Sequence, residues 1–314
     1  MTNFIRKIQA ALGLLLIASA GPIYADWTNQ PDCPSENNFY YTSLPLCNFK
    51  GFIIADLLYW RAFESGLDEC IPATETDELT CDGNVISRFK GKNHDPRFKW
   101  DPGFRITAGY IFENWDVVFS WAHFNSHTSA SNRQRLRWNL DYDVIDIIVG
   151  YETELSPCFT LRPFTGLRAA QIDQKIRMSG VRNAHFTSHR RNHEDFAGFG
   201  PILGLDTNWC IGGNFSFYAN ASVSWLYGNF DIKLIEDSEF SHAQNHYQVK
   251  KHLNAIVSVA DAAFGLRWQT CIFSDFQLVL QLGLEHHSYF DYNRLGNYGD
   301  LSFDGVNFSA GIAF

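Results

Sequence analysis

Val306-Asn307-Phe308-Ser309-Ala310-Gly311-Ile312-Ala313-Phe314 closes the chain. Successive side chains of an extended backbone point to opposite faces, so Val306, Phe308, Ala310, Ile312 and Phe314 share one side of a strand. Asn307, Ser309, Gly311 and Ala313 take the other. One face meets an apolar medium and the other does not.

The pattern recurs upstream. Phe276, Leu278, Leu280, Leu282 and Leu284 alternate with Gln277, Gln281 and Glu285. Phe215, Phe217, Ala219, Ala221, Val223, Trp225 and Tyr227 alternate with Ser216, Tyr218, Asn220, Ser222 and Ser224. Leu136, Trp138, Leu140, Tyr142 and Val144 alternate with Arg135, Arg137, Asn139, Asp141 and Asp143. Such segments reach about ten residues, the length a tilted strand needs to cross a bilayer. Strands of soluble sandwiches run to about 5–6 residues.

Composition narrows the choice. Of 314 residues, 46% are hydrophobic and 16% aromatic, with 27 Phe, 13 Tyr and 9 Trp, which excludes a disordered chain. Mean hydropathy is −0.19 and the only long apolar run sits at the N-terminus, which excludes a bundle of membrane helices. That run, Ala10 to Ala20 behind Arg6 and Lys7, reads as a secretory signal peptide over residues 1–25, cleaved after Ala25 or alternatively after Ala20. Its removal takes away two cations and no anion, moving the net charge from −9 to −11. An exported, acidic chain is a poor partner for nucleic acid.

Ten alternating segments are predicted, at 51–62, 98–112, 115–125, 134–152, 159–172, 194–206, 213–228, 251–269, 275–289 and 301–314. Their connections alternate between short turns and the long stretches 63–97, 173–193 and 229–250, with shorter loops at 126–133 and 290–300. Short turns on the periplasmic side and long loops outside are the habit of membrane barrels. The expected fold is therefore all-β: a transmembrane antiparallel up-and-down barrel of about ten strands over residues 51–314, after a periplasmic segment at 26–50. Twelve strands follow if a long loop hides a further hairpin. Asp146 falls in phase with Val144, and Asp261 with Val257 and Val259. A charge on a lipid face is costly, so a β-bulge or strand end is expected near each.

The terminal strand resembles the assembly signal of outer-membrane barrels, carried here by Phe308, Ile312 and Phe314. More specific is Ala55-Asp56-Leu57-Leu58-Tyr59-Trp60-Arg61-Ala62-Phe63-Glu64-Ser65-Gly66-Leu67. It resembles the "A-D-(F/L)-L-Y-W-x-A-x-E-x-G-L" first strand of the Legionella-type major outer membrane proteins, which have relatives in chlamydia-like bacteria. That resemblance implies a porin of the Gram-negative outer membrane, a disulfide-cross-linked envelope and an adhesive surface role. It brings no catalytic residues and no cofactor. Read without the family, Tyr59 and Trp60 belong to an aromatic girdle at the outer interface.

Export favours oxidised cysteine, and no Cys-x-x-Cys occurs, so disulfides are expected before metal. Cys70 and Cys81 share the first long loop, and Cys33 and Cys47 flank the periplasmic segment; each pair is a disulfide candidate. Cys158, Cys210 and Cys271 fall at periplasmic turns as candidate intermolecular thiols, to other envelope proteins or a second copy. Their alternative is structural thiols with no role. His185, His189 and His193, like His242 and His246, invite a metal reading, but loop position favours plain solvation and no metal site is assigned. Arg182, Arg190 and Arg191 make the same loop basic, suited to lipopolysaccharide phosphate or simply to water.

Arg135, Arg137, Arg162 and Arg168, with Asp141, Asp143 and Glu285, are predicted to face the lumen and tune ion selectivity. The competing expectation is an interior filled by side chains, since a barrel of about ten strands is narrow. Three functions follow: a porin passing small hydrophilic solutes, a closed structural or adhesive surface protein, or a barrel enzyme with His123, His286, His287 and Asp291 converging at the outer rim. The expected partners are the lipid bilayer, lipopolysaccharide and the outer-membrane assembly machinery.

Overall fold

A computed structural model of the chain describes residues 50–65, 74–79, 85–90, 99–131, 134–183, 186–240, 243–273, 276–294 and 299–314. The signal peptide and periplasmic segment of the sequence reading lie outside the described residues, as do Cys33, Cys47, Cys70 and Cys81.

Ten strands form the barrel: β1 (Gly51–Glu64), β4 (Trp100–Phe112), β5 (Trp115–Ser131), β6 (Gln134–Tyr151), β8 (Phe159–Asn183), β9 (Phe186–Gly212), β10 (Phe215–Phe240), β11 (Ala243–Phe273), β12 (Phe276–Asn293) and β13 (Gly299–Ala313). A two-stranded ribbon, β2 (Thr74–Leu79) with β3 (Val85–Lys90), belongs to the first long connection, and β7 (Thr153–Ser156) pairs with the foot of β8. Each strand is antiparallel to its neighbours. The ring closes where β6 meets β8 and where β1 meets β13, from Phe52↔Ala313 to Glu64↔Leu301. Closure leaves no unpaired edge in the bilayer, where an unsatisfied amide has no water to turn to. At that seam the Phe314 and Gly51 main chains exchange hydrogen bonds of 2.8 Å.

The periplasmic turns are tight. Glu113-Asn114 joins β4 to β5 with φ 57° at Glu113. Gly213-Asn214 joins β9 to β10 with φ 61° and 69°, the two left-handed residues of a type I′ hairpin. The exterior connections differ from the sequence expectation. Residues 173–193 and 229–250, read as loops, are largely paired strand: β8 with β9 and β10 with β11 climb well past the bilayer as hydrogen-bonded hairpins.

The alternation changes sense on the way up. Along β10 the outward residues Phe215 to Tyr227 are apolar, and above them Asn229, Asp231 and Lys233 face out while Phe230 and Ile232 are buried. Within the bilayer the medium outside is hydrocarbon, so the outer face is apolar; above it the medium is water, so the driest place is the lumen. Leu57 (60% exposed), Leu167 (61%) and Phe199 (66%) mark the lipid band.

This explains Asp146 and Asp261. Pairing runs without a shift through both, so the expected bulges are absent. Trp138, Leu140, Tyr142 and Val144 are buried inside the barrel, and Asp146, in phase with them, points inward too. The lipid face of β6 is the other set: Ile145, Ile147, Val149 and Tyr151.

Candidate functional site

The lumen holds two unlike layers. The lower, level with the bilayer, is a cavity of about 250 Å³ whose walls set carboxylates, guanidinium groups, hydroxyls and amides among apolar side chains such as Ile54, Val118 and Phe164. Six strands contribute to one chain of ionic contacts around it. Arg105 Nε donates to Asp56 Oδ2 at 2.5 Å, and its Nη2 donates to Glu285. Glu285 lies 3.4 Å from His287 Nε2, whose Nδ1 lies 2.8 Å from Asp261. Asp261 accepts from Arg168 Nη1 at 2.5 Å and from Ser222 at 2.8 Å. Arg168 also grips both oxygens of Asp146, at 2.8 and 2.9 Å. A second group lies lower, where Arg162 donates twice to Asp116, at 2.6 and 2.5 Å, and once to Asp206.

Every arginine named here has its carboxylate at hand. Opposite charges held in contact cancel at short range, so these pairs contribute little of the transverse field that separated charges would create. Arg168, with side-chain exposure of 9%, is balanced by two acids because a lone buried guanidinium would be costly to desolvate.

The upper layer is apolar. Trp60, Phe124, Trp138, Tyr142, Ile172, Phe196, Phe230, Tyr289, Tyr292 and Phe303 form one core, each at most 3% exposed. The rings come from all around the barrel and meet in the middle. Trp60 lies 5.5 Å from Phe124 and 6.1 Å from Tyr142, Tyr142 lies 4.6 Å from Phe303, and Phe196 lies 5.7 Å from Tyr292. Tyr142 and Tyr289 share a hydrogen bond of 2.9 Å between their hydroxyls. Higher still, Trp138 donates to Gln174, which donates to Glu64 at 3.1 Å. Gly305 makes room beside Trp60: a Cβ there would lie 1.9 Å from the indole Cδ1.

Of the residues predicted to line the lumen, Arg162, Arg168 and Glu285 are buried in the cavity wall. Arg137, Asp141 and Asp143 point outward, the reverse of the expectation, because the upper half of β6 stands above the lipid with its apolar face turned in. The side chain of Arg135 lies outside the described residues. Trp60, placed in the outer girdle by the sequence, is inside at 1% exposure, since only one of two successive residues can face out; Tyr59 does, stacked on Trp100 at 5.5 Å. Cys158 and Cys271 are disulfide-bonded, which corrects their reading as intermolecular thiols. Cys210 is half-buried, and its main-chain N–H donates to Cys158 O at 2.9 Å.

The four residues of the rim-enzyme reading do not converge. His123 faces out beside Asp143 at 3.0 Å, and His286 faces out beside Asp304 at 2.5 Å. His287 points into the cavity, and Asp291 receives no more than a turn contact, its amide donating to Asp300. His193 and His246 lie beside Asp173 and Asp237, at 3.4 and 2.6 Å. The sequence reading missed Asp56, Arg105, Asp206 and His287 as cavity residues, and Asp116 as the partner of Arg162. Its one usable signal was Asp146 and Asp261, charges in phase with an apolar set, which mark a face turned away from lipid.

The family model described as "Legionella pneumophila major outer membrane protein precursor" matches residues 47–310. The chain belongs to that family. Membership agrees with a closed barrel of the outer membrane and with the Ala55–Leu67 motif, whose Asp56 and Glu64 now have places in the lumen. A comparison with curated proteins found no match. Among solved structures, the outer membrane protease OmpT from Escherichia coli is 9% identical, over 88% of this chain and 100% of that one, with TM-score 0.45. The P. putida toluene transporter TodX is 8% identical over 85% and 89%, with TM-score 0.31. OprG from Pseudomonas aeruginosa is 12% identical over 84% and 95%, also at 0.31.

Proposed function

We propose that this family member is a closed-barrel surface protein of the outer membrane, a structural or adhesive element whose transmembrane strands anchor the tall exterior wall of β8 to β11. The observation that carries the reading is the Tyr142–Tyr289 hydrogen bond inside a dry aromatic core. A hydrophilic solute would have to shed its water to pass this layer, and burying unpartnered polar groups is costly. The paired charges below it point the same way, as a network serving the interior packing of the barrel.

Planar-bilayer recording of the purified, refolded protein, with and without reductant, tests the proposal. The expected record is a flat baseline at every voltage. A steady ohmic conductance from unmodified protein would overturn it and favour the second reading, a porin, which draws on the 250 Å³ cavity and its ionisable wall. Export is part of the same proposal: the mature chain should begin at Asp26, which N-terminal sequencing of envelope protein reads directly. No catalytic role is proposed for His123, His286, His287 and Asp291 as a group, because His123 and His286 face out while His287 points into the cavity, and the four do not converge.

A further inference from the structure

On the outer face of β12 and β13, a serine, a histidine and an aspartate stand in a line. Ser288 Oγ lies 2.8 Å from His286 Nε2, and His286 Nδ1 lies 2.5 Å from Asp304 Oδ1. Side chains two apart on a strand share a face, so Ser288 meets His286 along β12, while Asp304 is its direct cross-strand partner on β13. An ionised carboxylate only accepts, so the proton of the neutral imidazole sits on Nδ1 and Nε2 is left to accept from the serine hydroxyl. That is the tautomer a general base needs, and the order of nucleophile, base and orienting acid is that of a Ser-His-Asp triad. At 8% exposure Ser288 is screened from bulk water, and His286 stands half-exposed beside it. Two further groups surround the serine. Ser302 Oγ lies 3.2 Å from Ser288 Oγ. Arg61, opposite Asp304 on β1, lays its guanidinium over the ring of Phe63 at 4.2 Å, and Phe63 is the neighbour of Ser302. A hydroxyl and a cation at such places suit a developing oxyanion.

The height of the line decides the substrate. Below it the outward residues of β12 are Phe276, Leu278, Leu280, Leu282 and Leu284, all apolar. From Phe276 to His286 the strand climbs about 26 Å, at roughly 3.4 Å per residue and a tilt near 40°, which matches the ~25 Å of an apolar band. On β1 the same row is Arg61, one outward step above Tyr59 in its stack on Trp100. Ser288 and His286 therefore stand where hydrocarbon ends and headgroups begin. At that level the acyl chains of a membrane amphiphile are joined by esters to its polar part.

We infer that Ser288, His286 and Asp304 form a lipid-facing esterase site, which hydrolyses an acyl ester of an outer-leaflet amphiphile. The Ser288 oxygen bonds to the ester carbonyl carbon while its proton passes to His286 Nε2. Collapse of the tetrahedral adduct breaks the bond to the alcohol oxygen, which leaves with that proton, and the acyl group stays on Ser288. Water then attacks the acyl-enzyme with His286 again as base, releasing the fatty acid and restoring the serine hydroxyl. Only water is consumed. Asp304 holds the imidazole and touches no reacting atom, so it is a positioning residue. The site lies on the outside of the barrel and does not depend on whether the lumen is closed.

Two measurements on refolded protein in detergent micelles test this. A fluorophosphonate probe, which labels activated serines, should modify Ser288, as read by mass spectrometry of the digested protein. Fatty acid should be released from mixed micelles carrying a diacyl phospholipid or lipid A, the faster of the two identifying the source of the ester. Ser288→Ala should lose both label and release, and His286→Gln should lower kcat/KM at least about a hundredfold. Asp304→Asn should lower kcat more than it changes KM, with part of the loss recovered in Asp304→Glu. Lys99→Gln, on another strand, should change nothing. Retention of the heat-modifiable folded band on gels shows that each variant is folded. An unlabelled Ser288 in folded protein, no release from either lipid, or release undiminished in Ser288→Ala would overturn the assignment. Faster cleavage of a water-soluble acetyl ester than of the micellar lipids would overturn the lipid substrate.

Discussion

Tyr142 and Tyr289 sit on strands half a ring apart, β6 and β12, and their hydroxyls meet at 2.9 Å. The bond crosses the full lumen and is enclosed by Trp60, Phe303 and Tyr292. Each hydroxyl is the other's partner in a dry place. Tyr289→Phe should therefore cost about 1–3 kcal/mol by leaving the Tyr142 hydroxyl unsatisfied, whereas the double change to Phe should be nearly neutral. Urea unfolding from lipid vesicles measures both, and strictly additive effects would show that the pair does not act as a unit.

Arg168 should be the least replaceable charge in the cavity. Arg168→Met leaves Asp146 without its cation and Asp261 with only His287 and Ser222, a loss of about 3–5 kcal/mol on the scale of broken buried pairs. The same unfolding measurement decides it: a change below about 1 kcal/mol would mean that water in the cavity screens these groups.

Gly305 and Trp60 are a matched pair across β13 and β1. Gly305→Ala should destabilise by about 1–3 kcal/mol, since the indole is held on all sides and cannot yield. Trp60→Leu in the same chain should recover part of that loss. No recovery would place the strain in the backbone instead of at the ring.

Phe308, Ile312 and Phe314 all face the lipid, and Phe314 also closes the barrel seam on Gly51. Deleting Phe314 should lower the yield of membrane-inserted, heat-modifiable protein in cells. Refolding of the purified variant in detergent should suffer less, because the assembly machinery is absent there. Equal losses in both settings would assign Phe314 to stability alone.

Acid should loosen the exterior hairpin of β10 and β11. The hydrogen bond with His246 holds the Asp237 carboxyl below its ordinary value, with Arg191 nearby as a lesser influence. A depressed carboxylate contributes stability above its unfolded value, and that contribution disappears as pH falls through the folded one. Carbon-13 titration of Asp237 should show a midpoint under the ~3.9 of an unperturbed aspartate, rising when His246 is changed to Ala. A midpoint indifferent to His246 would refute the contact.

Much of the barrel was legible in the chain. The ten strands, their starts within a few residues except at β9 and β11, and the side on which each tight turn lies all follow from long alternating runs broken at Glu113-Asn114, Ser156-Pro157 and Gly213-Asn214. The lipid faces of β10, β12 and β13 were equally plain. The exterior hairpins were not, because polar residues such as Asp173, Lys175, Asp231 and Lys233 read as loop when the other face is overlooked. Yet the clue is present: apolar parity passes from odd to even between Tyr227 and Phe230, and from even to odd between Val144 and Ile145.

A period of two separates residues into two faces and is blind to which face looks inward. Local sequence therefore settled that these segments are strands and which residues travel together. Only the closed ring decided direction and partnership: that Trp138 and Tyr142 look into the lumen, that Arg168 meets Asp261 across two intervening strands, and that Tyr142 finds Tyr289 opposite. The reason is the surroundings, hydrocarbon outside the lower barrel and water outside the upper, which turn one alternating pattern into opposite orientations at different heights.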